Sequence, residues 1–144
     1  MTIPRILFAD ASFYTAISNR RDPHYSKADA WQKAIFQARV SIITTEAVLW
    51  EYLNSCAAPP VRRYAYRAYR YLHTDPQVQV IGFDPALCAA ALQSYEAHHD
   101  KNWGIVDCLS FDVMQQHGVH DALTTDHHFV QAGFTALLLQ DPPA

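Results

Sequence analysis

The sequence predicts an α/β fold: a mostly parallel central sheet covered on both faces by helices. Three observations carry this. Short apolar runs at Ile6–Ala9, Ser41–Thr44, Val78–Ile81 and Ala122–Thr124 alternate with longer stretches of helical periodicity, the rhythm of βαβ units. The runs are largely unbroken by polar residues, as strands buried on both sides are. Carboxylates stand just beyond two of them, Asp10 after the first and Asp126 after the fourth. That is the sheet edge at which open α/β folds bind ligands.

In order along the chain, Ile6-Leu7-Phe8-Ala9 reads as a buried strand ending at Asp10. Ser12 is the expected cap of a helix from Phe13 to about Ser18. Asn19–Pro23 is a turn, with Asp22 capping a second helix that runs to about Arg39. Ser41–Thr44 is the second strand, and Thr45 caps the helix carrying Glu46 and Glu51. Glu51 lies about two turns in, with its side chain able to point back toward the helix start. Pro59-Pro60 opens a helix from Val61 to about His73, and Val78–Ile81 is the third strand. Asp84-Pro85 starts the next helix, to about His98. A polar loop, His99–Asn102, leads into a helix in which Ile105, Leu109 and Val113 recur at helical spacing. Gly118 stops it. A short helical turn at Phe129–Gln131 and a last strand over Phe134–Leu139 complete the pattern.

The chain has 144 residues, half of them apolar, and a formal net charge of −3. One domain spanning 1–144 is expected, and nothing global marks a nucleic-acid binder. The three cysteines, Cys56, Cys88 and Cys108, are odd in number and form no C-x-x-C pair, so they read as reduced thiols. No signal peptide and no apolar run near the ~18 residues of a membrane span is visible. A cytoplasmic protein is the expectation.

The chemistry lies in the acids. Asp10 and Asp126 follow strands, while Asp107 and Glu51 sit on helices that start at the same edge, so the four converge on one rim. Each alone has a plain explanation: Asp10 as a cap, Asp107 as a favourable charge at a helix start. Together they suggest a hard-cation site. Mg²⁺ prefers oxygen ligands and keeps several waters, so a few carboxylates plus a substrate phosphate suffice. Such an ion makes water a better nucleophile and clamps phosphate oxygens through an in-line displacement. Glu46 is read as a first-turn acid, Asp112 as peripheral, and Asp100 and Asp121 as loop residues. His127 and His128 border the site and are assigned a surface role. Zinc has little support, since His-Glu-x-x-His and Cys-x-x-Cys are both missing.

The string Ile6-Leu-Phe-Ala-Asp10-Ala-Ser12, then Thr44-Thr45 with Glu51 in the following helix, Asp107-Cys-Leu-Ser110-Phe, and Leu123-Thr-Thr125-Asp126-His-His-Phe129 resembles a PIN domain. It is most similar to the VapC-like nucleases of toxin–antitoxin pairs and their solitary relatives, over nearly the whole chain. The resemblance implies a three-layer α/β/α sandwich, Mg²⁺ or Mn²⁺ dependence and endoribonuclease activity on single-stranded or structured RNA. It maps the catalytic acids to Asp10, Glu51, Asp107 and Asp126, with Asp10, Asp107 and Asp126 as metal ligands and Ser12 and Thr125 in support. It also implies a homodimer, and an antitoxin protein as a possible partner.

Arg63, Arg67 and Arg70 share one helical face, interleaved with tyrosines. Arginines hold phosphates and tyrosines stack on unpaired bases, so they are candidate substrate-binding residues. The competing reading, slightly favoured, is a solvated basic face that meets an acidic partner or a second copy. A non-catalytic RNA-binding or partner-binding scaffold is the alternative function, disfavoured by the complete acid set. Phosphoryl transfer on Asp10 is disfavoured because Asp10-Ala11-Ser12 lacks a second aspartate. A dinucleotide fold is disfavoured because none of the four glycines forms G-x-G-x-x-G.

Overall fold

The computed structural model describes residues 2–143. Strands β1 (Ile6–Ala9), β2 (Ser41–Thr45), β3 (Val78–Ile81), β4 (Asp121–Leu123) and β5 (Thr135–Ala136) form one sheet in the order β3-β2-β1-β4-β5. Every pairing is parallel. Seven α-helices occur among the described residues: α1 (Ala11–Ile17), α2 (Tyr25–Ala38), α3 (Glu46–Ser55), α4 (Val61–Leu72), α5 (Pro85–Ala97), α6 (Ile105–Gln116) and α7 (His127–Gln131).

The chain steps outward from β1 to β2 and β3, then crosses back to add β4 and β5 on the other side. Right-handed crossovers in opposite directions put their helices on opposite faces of the sheet. The α1–α4 and α5–α6 groups form the two outer layers, and α3 also reaches α6. This is the expected α/β/α sandwich. The direction reverses between β1 and β4, and a crevice opens beyond the carboxyl ends of those two strands.

Local chemistry sets most boundaries. Thr45 Oγ1 accepts from the Val48 N–H at 3.0 Å and starts α3. Asp84 Oδ1 accepts from the Leu87 N–H at 2.9 Å, with Pro85 opening α5. Gly118, at φ 65°, ends the α6 segment in a left-handed conformation that glycine adopts without steric cost.

Four expectations are corrected. Asp10, not Ser12, stands at the N-cap of α1, which frees the Ser12 hydroxyl for the site. Asp22 makes a turn, accepting from the His24 N–H, and α2 begins only at Tyr25. The last strand is two residues long; Leu137–Leu139 turn into a 3₁₀ helix. Asp121 is the first residue of β4 rather than part of a loop.

Leu7, Phe8 and Ala9 are wholly buried in the centre of the sheet. Phe8 faces Phe129 of α7, and Phe111 of α6 meets Phe129 edge-on, with centroids 4.9 Å apart. Burial of each such ring stabilises by about 1.5–3 kcal/mol. The cluster pins α6 and α7 against β1, so the elements that carry Asp107 and Asp126 are fixed relative to Asp10.

Candidate active site

Asp10 follows β1 directly and is 6% exposed. Its Oδ2 accepts from Thr124 Oγ1 at 2.7 Å and from Ser12 Oγ at 3.2 Å. Burial pushes its carboxyl above the usual range. Hydrogen bonds from Thr124, the Ala11 N–H and Ser12 oppose the shift, and the charge of Asp107 adds to it. Ser12 Oγ also accepts from the Thr125 N–H at 3.0 Å, which ties the end of β4 to the start of α1. Thr125 thus supports the site through its backbone. The hydroxyl that holds Asp10 belongs to Thr124, inaccessible to solvent and unmarked by any sequence signal beyond its place at the strand end.

Asp107 lies in the first turn of α6, where its Oδ2 accepts from the Gly104 N–H at 2.9 Å. That half of a capping box bends the side chain back over the helix start. Its carboxyl is also raised, first by burial and then by Asp126, against the opposing pull of the Gly104 N–H and His128. Asp126 caps α7 by accepting from the His128 N–H at 2.8 Å, and its own N–H donates to Thr124 Oγ1 at 3.1 Å.

Glu51 projects from α3 toward the same place. Its carboxyl is pushed up to about 7, by partial desolvation first and then by the charges of Asp10, Asp107 and Asp126. The Glu51 side chain is exposed, so solvent screening weakens these effects. All four acids expected from the sequence therefore sense one another. Asp10, Ser12, Glu51, Thr125 and Asp126 line a polar cleft of about 370 Å³, together with Asp22 and His24 from the α1–α2 connection. In the sequence, Asp22 reads as a helix cap and His24 is not singled out.

The larger departure is His128. Its Nδ1 lies 3.2 Å from Asp107 Oδ2 and 3.4 Å from Asp126 Oδ1. It belongs to the acid cluster rather than to the surface. Asp107, Asp126 and His128 each offer a ligand atom within 4.8 Å of the others, a set that can hold a divalent cation. Asp10 stands outside this tight group, with its Oδ2 held by Thr124 and Ser12. Asp112 is peripheral as expected and accepts from Ser94 of α5 at 3.0 Å. Glu46 accepts from Tyr69 Oη at 2.9 Å and pairs with His73, binding α3 to the end of α4.

The arginine face is not part of the cleft. Arg63, Arg67 and Arg70 are exposed on α4. Arg70 donates to Tyr66 Oη at 3.1 Å. Arg67 lines a separate, mostly apolar groove of about 510 Å³ with Tyr14, Tyr52, Tyr64 and Tyr71.

Comparison with known proteins bears on the chain as a whole. The chain is 26% identical over 136 residues to the 23S rRNA-specific endonuclease VapC20 of Mycobacterium tuberculosis, in strains CDC 1551 / Oshkosh and ATCC 25618 / H37Rv. The alignment covers 90% of this chain and 95% of that protein. The crystal structure of M. tuberculosis VapC20, described as a Sarcin-Ricin loop cleaving toxin, superposes with a TM-score of 0.77 at 26% identity, covering 90% of this chain and 96% of that one. The PIN domain profile matches residues 7–135, a span that holds every acid of the cleft, and the chain belongs to the PIN-domain family.

Proposed function

We propose that the chain is a metal-dependent endoribonuclease that cleaves RNA by attack of water on a phosphodiester, and that it serves as the toxin of a toxin–antitoxin pair. The observation that carries the reading is the convergence of Asp10, Glu51, Asp107 and Asp126 at the β1/β4 crevice, where burial and mutual repulsion raise the carboxyls of Asp10, Glu51 and Asp107. Acids so placed are costly to ionise together without a cation. Their all-oxygen chemistry suits Mg²⁺ or Mn²⁺.

In this reading Asp10, Asp107 and Asp126 hold the ion. Once bound, it supplies positive charge at the phosphate and eases deprotonation of the attacking water. Thr124 and Ser12 fix the Asp10 carboxylate, the Gly104 N–H fixes Asp107, and the α7 start fixes Asp126, so little reorganisation remains at the moment of reaction. Glu51, beside the three ligands, takes the proton of the attacking water. VapC20's described action on 23S rRNA supports RNA as the substrate class here. The basic face Arg63–Arg67–Arg70 holds flanking phosphates. An antitoxin or a second copy of the chain would sit on the α4 groove bordered by Arg67.

The test is cleavage of a mixed RNA pool by purified protein, free of any antitoxin, with added Mg²⁺ or Mn²⁺ and with a chelator. Metal-dependent cleavage is expected. RNA binding with no cleavage under any metal would favour the non-catalytic scaffold.

A further inference from the structure

His128, beside Asp107 and Asp126, is a side chain that chemistry on oxygen ligands alone does not call for. It is held there from two directions. Its backbone N–H is fixed by Asp126 Oδ1 at 2.8 Å, and its ring nitrogen Nδ1 is fixed between Asp107 and Asp126 at 3.2 and 3.4 Å. Adjacent ligands on an octahedral ion with bonds of ~2.1 Å stand about 3 Å apart. The two spacings at Nδ1 match neighbouring positions around one ion. Phe129, next in the chain, is fully buried against Phe8 and Phe111, so the backbone that presents the ring is anchored in the core.

We infer that His128 supplies an imidazole nitrogen to the cation held by Asp107 and Asp126, and that this nitrogen makes the site favour Mn²⁺ over Mg²⁺. The inference rests on the metal-dependent reading above. Imidazole suits transition metals, whereas Mg²⁺ is a hard ion that dehydrates reluctantly and prefers oxygen. A carboxylate set joined by one imidazole therefore discriminates more than carboxylates alone. Coordination uses the Nδ1 lone pair, so the ring carries its single proton on Nε2 in the loaded site. The competing role is a ring that only hydrogen-bonds to Asp107 and Asp126 and leaves when an ion binds. The two roles predict opposite effects of removing the ring.

The experiment titrates the protein with Mn²⁺ alone and Mg²⁺ alone, without RNA, by calorimetry, and records pulsed EPR of bound Mn²⁺. Wild type, His128→Ala and His128→Gln are compared, with chelator-treated melting curves to verify folding. Wild type is expected to show nitrogen coupling to Mn²⁺ and both variants to lose it. Loss of a ligand costs at least what loss of one of its outer-shell partners does, about tenfold in affinity, so Mn²⁺ binding should weaken by that much while Mg²⁺ binding changes far less. Mn²⁺ bound without nitrogen coupling in wild type, or bound as tightly or more tightly by His128→Ala, overturns the inference and leaves the acid site standing. No binding of either metal to wild type overturns the metal-dependent reading as well.

Discussion

Thr124 Oγ1 donates a 2.7 Å hydrogen bond to Asp10 Oδ2 across 114 positions of sequence, and both side chains are buried. The bond joins the end of β4 to the end of β1, the two strands at which the sheet changes direction. A buried carboxylate that loses one of its donors is left with less relief of its desolvation cost. Thr124→Val is therefore expected to destabilise the metal-free protein by about 1–3 kcal/mol, read from urea denaturation with chelator present. Thr124→Ser, which keeps the hydroxyl, should recover most of the loss. Equal stability of Thr124→Val and wild type would show that the bond holds nothing.

Asp10→Asn and Asp107→Asn are expected to abolish cleavage of RNA without unfolding the protein. Asparagine keeps the shape and removes the charge that holds the ion. An ion that contributes several kcal/mol to the transition state leaves a deficit on the order of a thousand-fold in rate when it is lost. Removing one acid from a repelling group should also raise the melting temperature slightly in chelator and shrink the gain on adding Mn²⁺. Cleavage that survives both the chelator and Asp107→Asn would place the chemistry elsewhere.

Glu51 gives the metal-free protein a pH dependence of definite sign. Its carboxyl moves from 4.5 to about 7 on folding. Between those values the folded chain keeps a proton that the unfolded chain has released, so stability is full below the lower value and is lost as pH rises through the upper one. Asp10 and Asp107, also raised, act in the same direction. In chelator, the melting temperature of wild type should fall relative to Glu51→Gln between about pH 5 and about pH 7.5. Stabilisation by Mn²⁺ should be larger at the upper pH. Parallel curves for the two proteins would remove Glu51 from the acid cluster.

The triple change Arg63→Ala, Arg67→Ala, Arg70→Ala tests the basic face. None of the three lines the acid cleft, so kcat should hold while RNA binding weakens. Each phosphate contact to a single strand contributes roughly 0.7 to the slope of log affinity against log salt, so the slope should flatten by about 2. An unchanged slope would reassign this face to a protein partner.

The parts of the fold set by local chemistry were legible. Thr45 and Asp84 are caps whichever sheet they serve, and Asp10 and Asp126 stand beside apolar runs that betray the strand ends. The parts decided by tertiary meetings were not. Leu137–Leu139 is an apolar run that reads alike as a strand or as a buried 3₁₀ turn, and periodicity cannot separate them over three residues. Thr124 and Thr125 are adjacent and chemically identical, and the placement of the β4 end beside β1 decides which hydroxyl meets Asp10. His128 joins the cluster because α7 packs under α6 through Phe129 and Phe111, a contact that no short motif encodes.

The strand order has a consequence for how the protein is made. β1 leaves the ribosome first yet lies in the middle of the sheet, and its β4 edge stays open until Leu123 has been translated. Synthesis at roughly 5–20 residues per second separates Asp10 from Asp126 by on the order of ten seconds. Throughout that interval the Asp10 carboxylate has no Thr124 hydroxyl, no Asp126 and no closed crevice. A nascent or prematurely terminated chain that lacks β4 is thus disarmed by topology alone, and the cleft assembles only after Thr124 and Asp126 have been made.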